Sequence, residues 1–295
     1  MNGALTYQLR SAAFATYRRA VVDSIVKAAT PESIFLLGLK TEHIKAESIF
    51  NSAVTNCASV SDVWLLVLTG SFANKSRQEW QDKIEAHCSM IVPTTTIVVE
   101  AAFFKERVLY EDLFTAHVLQ QAECLYSIAG ISYNELTHAE PADAGETASV
   151  LNTGINKARE FLAGAELYLV RKQYNLSAFM LHQSAEQSLL ALLRAATGFH
   201  VNTHNVERLL RYNSFLAGEL TTLFQFQRED ERRLIKLLRK AYIDTRYSKD
   251  YSIHCSDLLQ LTEKVRCMAD IVSAAGKLII NTLTSTTLQH EKQYR

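Results

Sequence analysis

Apolar residues recur at three- and four-residue spacing from about Tyr7 to Ala28 (Phe14, Tyr17, Val21, Ile25, Ala28), which predicts an amphipathic helix. The period then changes. Three short runs, Ser33 to Gly38, Val63 to Leu68 and Thr94 to Val99, are β-branched or wholly apolar and are bounded by Gly, Ser or Pro, the pattern of buried strands. Helical stretches are expected to separate them. The clearest runs from Ser76 to Cys88 and opens on a capping box of Ser76 and Glu79; another runs from Phe104 to Gln121. The first half therefore reads as an α/β or α+β unit with a small mixed sheet.

After the polar connector His138-Ala-Glu-Pro-Ala-Asp-Ala-Gly145 no strand signal survives. Leu151, Ile155, Ala158, Leu162, Ala165 and Leu169 keep the helical period, as do Leu258, Leu261, Val265, Met268, Val272, Ala275 and Ile279. Further helices are expected from Leu176 to Thr197 and from about Glu229 to Tyr242, making the second half an up-and-down helical bundle. The reading divides the chain into residues 1–140, 146–285 and a polar, frayed tail over 286–295.

The helix beginning near Tyr174 carries an unusual polar stripe. His182 and Glu186 are spaced i,i+4 with Gln183 and Gln187 beside them, while Ala178, Leu181, Ala185, Leu189, Leu192 and Ala196 form the apolar face. Such a stripe is either a hydrogen-bond network that fixes helix packing or one wall of a cleft. The helix ends at Gly198, and His204 falls in a turn that starts the next helical region.

Composition changes this picture little. The 31 basic and 31 acidic residues cancel, so any affinity for nucleic acid must come from local patches. Residues 208–249 hold such an excess, with ten basic residues against five acidic ones. Arg232, Lys236, Arg239 and Lys240 share one helix face there; the alternative is a solvated face paired with neighbouring acids. Five cysteines without paired spacing argue for reduced thiols and against a zinc site. No cofactor or metal is expected. The start of the chain has no signal-peptide pattern and no window approaches 18 uninterrupted apolar residues, so the expectation is a soluble, cytoplasmic protein without a membrane partner.

The text Leu181-His-Gln-Ser-Ala-Glu-Gln-Ser-Leu-Leu-Ala-Leu-Leu193, followed by Thr197-Gly-Phe199 and Thr203-His-Asn-Val-Glu-Arg-Leu209, resembles a HEPN domain (higher eukaryotes and prokaryotes nucleotide-binding) over residues 147–285. The resemblance implies a helical bundle, a nucleotide or RNA as partner, and a homodimer paired through bundle faces. Ribonucleases of this kind carry an arginine and, four to six residues later, a histidine. Here Arg246 matches the arginine, Tyr251 stands where the histidine would, and His254 lies beyond the usual spacing. A phenol with a reference pKa near ~10 is a poor base beside an imidazole. Binding thus outlasts cleavage on this reading, with Arg246, Tyr247, Lys249, Tyr251, His182, Gln183, Glu186 and Arg239 as candidate nucleotide or RNA contacts. The alternatives are a metal-independent ribonuclease using Arg246 with Tyr251 or His254, and a purely structural or interaction protein.

The first half resembles a nucleotidyltransferase-like domain, which often precedes HEPN. The strand ending at Gly38, the run Ser61-Asp-Val-Trp64 and Glu100 at the end of the third strand follow that order of elements. The chemistry departs from it. Leu39 follows the glycine, and Trp64 occupies the second aspartate position beside Asp62, where an indole cannot hold Mg²⁺. Gly38, Asp62, Trp64 and Glu100 are thus read as a vestigial transferase site, and the chain as a regulatory or toxin–antitoxin-like protein without transferase activity, the ribonuclease alternative staying open.

Overall fold

A computed structural model describes residues 2–48, 51–110, 112–128, 143–248 and 251–293, with backbone alone for 2–13, 42–48, 51–58 and 286–293. Most of the connector from His138 to Gly145, and Lys249, lie outside the described residues. The chain forms two compact units, Met1–Ala139 and Glu140–Arg295.

The first unit contains helices α1 (Asn2–Ala29), α2 (Arg77–Cys88), α3 (Ala101–Leu109) and α4 (Leu113–Gln121), and strands β1 (Ser33–Ser48), β2 (Asn51–Thr69), β3 (Thr94–Glu100) and β4 (Glu123–Ser127). The sheet order is β3-β2-β1-β4. β1 pairs antiparallel with both β2 and β4, while β2 and β3 run parallel with α2 as the crossover. One sheet face, with Ile34, Leu36, Val63, Leu65, Val67 and Val98, packs against Phe14, Val21 and Ile25 of α1 and Ile84 and Cys88 of α2. On the other, Phe35 stacks with Phe104 of α3, their centroids 6.4 Å apart.

Three features depart from the sequence reading. No helix separates β1 from β2 among the described residues; β1 continues through Gly38 to Ser48 and turns back as one long hairpin. The helix expected from Phe104 to Gln121 breaks near Asp112, whose carboxylate accepts the Thr115 N–H to cap α4 and also pairs with Arg107. The short, half-exposed edge strand β4, whose apolar run is only Cys124-Leu-Tyr126, is not among the strands expected from the sequence.

The second unit is all helical: α5 (Ala144–Val170), α6 (Tyr174–Thr197), α7 (Val206–Asn213), a 3₁₀ turn over Gly218–Thr222, α8 (Glu229–Tyr247) and α9 (Cys255–Gln293). The tail expected to fray is helical as far as Gln293. α5, α6 and α9 pack mutually and leave α7 and α8 against α6. The α5–α6 approach is close enough that a Cβ on Gly154 would lie 2.5 Å from the Ala191 Cβ. Gly198 ends α6 in the left-handed region (φ 72°), a conformation that costs most side chains energy, and so launches the connection to α7. The segment Cys255–Ser285 is long and apolar enough to cross a membrane by length and composition. Its residues Leu258, Leu261, Val265, Met268 and Val272 are nonetheless buried inside the unit.

Candidate functional site

The polar stripe of α6 is not solvated. His182 is 0% and Glu186 4% exposed, so each needs partners to offset the loss of water. His182 Nε2 lies 2.9 Å from the carbonyl oxygen of His204 and must carry the hydrogen there, which leaves Nδ1 to accept from Gln183 Nε2 at 3.3 Å. This bond ties the α6–α7 connection to the middle of α6. The His204 ring then turns its Nδ1 to the Glu186 carboxylate, at 3.2 and 3.1 Å from the two oxygens. Among the described residues Nε2 of His204 meets no protein partner, and the side chain is 48% exposed.

Burial drives the electrostatics. It lowers the His182 pKa to about 4; the bond to the His204 carbonyl works against this, and the charges of His204 and Arg246 add to it. His182 is therefore neutral at physiological pH, and its 3.7 Å approach to Glu186 is not an ion pair. Burial likewise pushes the Glu186 carboxyl above its ordinary range, against the pull of the His204 bond and of Lys157.

Helix α8 adds an aromatic and cationic layer. The Tyr242 ring lies 4.1 Å from the His204 ring and 5.1 Å from that of His182, with both pairs near parallel. One turn later, Arg246 places its Cζ 4.2 Å from the Tyr242 centroid, 5.7 Å from Phe179 and 5.2 Å from Tyr247. Its Nε–H donates to the Tyr242 carbonyl at 2.8 Å. The terminal guanidinium nitrogens meet no acceptor among the described residues, and Tyr247 is 78% exposed. Three separated stretches, α6, the α6–α7 connection and α8, thus bring a guanidinium and an imidazole to one tyrosine ring.

Tyr251 and His254 do not join them. Tyr251 is buried, donates its hydroxyl to the Leu237 carbonyl at 3.2 Å, and has its pKa raised by burial. Its own carbonyl accepts from Asn175 Nδ2 at 2.9 Å. The chain after α8 runs back along that helix, since Asp257 takes a bidentate bond from Arg233 at 2.5 and 2.7 Å and its N–H bonds to the His254 carbonyl. Roughly 20 Å of helix separates Arg233 from Arg246 at 1.5 Å per residue, so His254 lies at the far end of α8 from the Arg246 cluster. Arg239 is engaged elsewhere, 3.5 Å from Glu207 of α7.

In the first unit, Gly38 sits within β1 opposite Trp64, at a register shift, instead of opening a helix. Trp64 is buried. Asp62 accepts from Thr95 Oγ1 and faces Lys40 at 3.7 Å, while Glu100 accepts the Phe72 N–H at 2.9 Å. Glu100 registers with Thr69, seven residues along β2 from Asp62, a spacing of roughly 23 Å at 3.3 Å per residue. The two carboxylates therefore do not share a site.

Residues 152–276 match the family model of the HEPN domain, and a search of curated proteins finds no match. The C-terminal half is thus supported as a HEPN domain, a family tied to nucleotide- and RNA-related functions. The match covers α6, the α6–α7 connection and α8, so all the residues of the His204–Arg246 cluster fall inside it.

Proposed function

We propose that the C-terminal unit binds the phosphate of a nucleotide or RNA at the cluster of Arg246, Tyr242, His204 and Glu186, without efficient turnover. The observation that carries this reading is the convergence of Arg246 and His204 on the Tyr242 ring. Guanidinium and imidazole N–H groups are suited to phosphate oxygens, and the exposed Tyr247 ring beside Arg246 offers a face for a base. Gln183 and Glu186 support the histidine side of the site, and Lys249 follows Arg246 in sequence. Binding is tested by the rise in melting temperature of the full chain with mononucleotides and short RNA. A ligand at 100 times its Kd adds about 2.7 kcal/mol, and Arg246→Ala is expected to abolish the shift. No shift with any of these ligands sinks the reading.

A second reading, metal-independent RNA cleavage, is favoured by one observation: His204, held by Glu186 through Nδ1, packs on the same Tyr242 ring as Arg246. It would place in His204 the proton acceptor that neither Tyr251 nor His254 can supply there. Cleavage of RNA in EDTA, lost in both His204→Ala and Arg246→Ala, distinguishes it from binding alone. We further propose that the first unit keeps a nucleotidyltransferase-like ancestry without transferase chemistry, that the protein is regulatory or toxin–antitoxin-like, and that it pairs as a homodimer through the bundle. Sedimentation equilibrium tests the pairing.

A further inference from the structure

The charges around the site narrow what it can hold. Of the ten basic residues over 208–249, Arg228 pairs with Asp230, Arg233 with Asp257, Arg239 with Glu207 and Lys240 with Asp244. Arg208 is buried, and Arg232 donates to the Phe226 carbonyl at 3.3 Å. Glu231 is paired with Lys264 of α9 at 2.8 Å. A tract of RNA is held by cations that follow successive phosphates, each neutralised phosphate releasing counterions. Among the described residues Lys236 is also exposed, but it lies ten residues, roughly 15 Å, along α8 from Arg246, too far to continue such a row with it. One focus stands out, where the Arg246 terminal nitrogens and His204 Nε2 meet no protein partner among the described residues and share Tyr242 as a common contact.

That focus has the donors for one phosphate group. The Arg246 Cζ lies 4.2 Å and the His204 ring centroid 4.1 Å from the Tyr242 centroid, so the two groups are no more than about 8 Å apart, within reach of a single phosphate with a hydrogen bond on each side. The geometry also restricts the phosphate chemically. A phosphodiester within a chain has two free oxygens and must thread its strand past both donors, whereas a terminal phosphate presents three oxygens and a second negative charge. His204 gives its Nδ1–H to Glu186, so the exposed edge of the ring is its Nε2 edge, which donates to a phosphate when the ring is an imidazolium, and the His182 bond keeps the backbone of the connection in place.

We infer that the ligand of this site is a terminal phosphate, that of a mononucleotide or a phosphorylated RNA end, and that His204 is the residue that selects it over an internal phosphodiester. The inference rests on the phosphate-binding reading above and deepens it. The two terminal nitrogens of Arg246 can take two oxygens of any phosphate; His204 supplies a donor for a third oxygen, which only a terminal phosphate has.

The test is calorimetric titration of the full chain with the four ribonucleoside 5′-monophosphates, the matching nucleosides, and a twelve-residue RNA carrying either a 5′-phosphate or a 5′-hydroxyl. The expected result is at least tenfold tighter binding of one or more monophosphates than of its nucleoside, and of the 5′-phosphate RNA than of its 5′-hydroxyl form. The salt dependence then corresponds to about one or two phosphates. His204→Ala is expected to reduce the preference to under threefold with weak binding retained, and His204→Gln, which keeps a donor, to restore part of it. Circular dichroism at 222 nm checks that both variants stay helical. Equal binding of the 5′-hydroxyl RNA, or a salt slope corresponding to five or more phosphates, overturns the inference and leaves nucleic-acid binding standing. Absence of binding by every probe overturns both.

Discussion

Acid pH will destabilise the C-terminal unit through His182. The residue is fully buried, its Nε2–H is committed to the His204 carbonyl, and its pKa falls from the reference 6.5 to about 4. The unfolded chain takes up a proton on this imidazole as pH drops through about 6.5, whereas the folded chain resists until about 4. Stability from neutral His182 is therefore complete above the unfolded value and is lost progressively as pH falls toward the folded one. At 1.36 kcal/mol per pKa unit the loss is about 1 kcal/mol by pH 5.5 and about 3 kcal/mol at the acid limit. Glu186 opposes it, because its pKa is raised and its stabilisation is lost as pH rises through the folded value. The control is therefore His182→Gln, whose amide nitrogen can still reach the His204 carbonyl while Glu186 stays in place. Both tryptophans, Trp64 and Trp80, belong to the first unit, so tryptophan fluorescence would follow the wrong part of the chain. Hydrogen exchange of α6 peptides in urea, corrected for intrinsic rates at each pH, follows the right one. The stability of wild type relative to His182→Gln is expected to fall between pH 7.5 and 4.5; a difference that stays flat across that range refutes the argument.

Other outcomes follow from packing and from hydrogen bonds. Gly154→Ala puts a Cβ 2.5 Å from that of Ala191 and is expected to cost about 1–3 kcal/mol by overpacking. Gly164→Ala, in the same helix with Met180 Sδ at 3.7 Å as its nearest neighbour, is expected to stabilise by up to about 1 kcal/mol; urea unfolding followed at 222 nm compares the two. Tyr251→Phe removes the bond to the Leu237 carbonyl and is expected to cost about 1 kcal/mol while leaving nucleotide titrations unchanged. A fall in nucleotide affinity in that variant would return Tyr251 to the binding site. Asp257→Asn breaks the bidentate pairing with Arg233, whose side chain is half exposed, so a loss of about 1 kcal/mol is expected and will shrink in high salt.

The helices were legible because burial imposes a period on sequence. Ile155, Ala158, Ala165, Leu261, Val265 and Met268 all lie in the core of the second unit, and the break after Thr197 is written in a glycine that adopts positive φ. The long hairpin was not legible. Its outer part, Thr41 to Ser48 with Asn51 to Ser59, pairs β1 with β2 alone among the described residues, and a ribbon of that kind imposes no buried apolar run like the one that marked Val63 to Leu68. The same reasoning explains why Gly38 suggested a strand end. In sequence it follows four apolar residues and, past Leu39, a polar stretch begins, yet the backbone continues in register with Trp64 and Val63.

The site was half legible for a different reason. His182, Glu186 and Arg246 are polar residues at places where a helical pattern makes them conspicuous, and they are near one another in the fold. His204 and Tyr242 were passed over because each had a sufficient local explanation, one as part of a turn and the other as an apolar-face residue of α8. Local explanations do not exclude a second role. Tyr242 lies one turn before Arg246 and packs its ring against that guanidinium, and the short connection after Gly198 leaves His204 few places to go other than back over α6. The motif spacing pointed along the chain from Arg246 toward Tyr251 and His254, but that segment is drawn back along α8 by the Tyr251–Leu237 and Arg233–Asp257 bonds. A histidine lost from a motif in sequence can therefore be replaced in space from another connection, and whether His204 does so chemically is decided by the terminal-phosphate titrations and by RNA cleavage in EDTA.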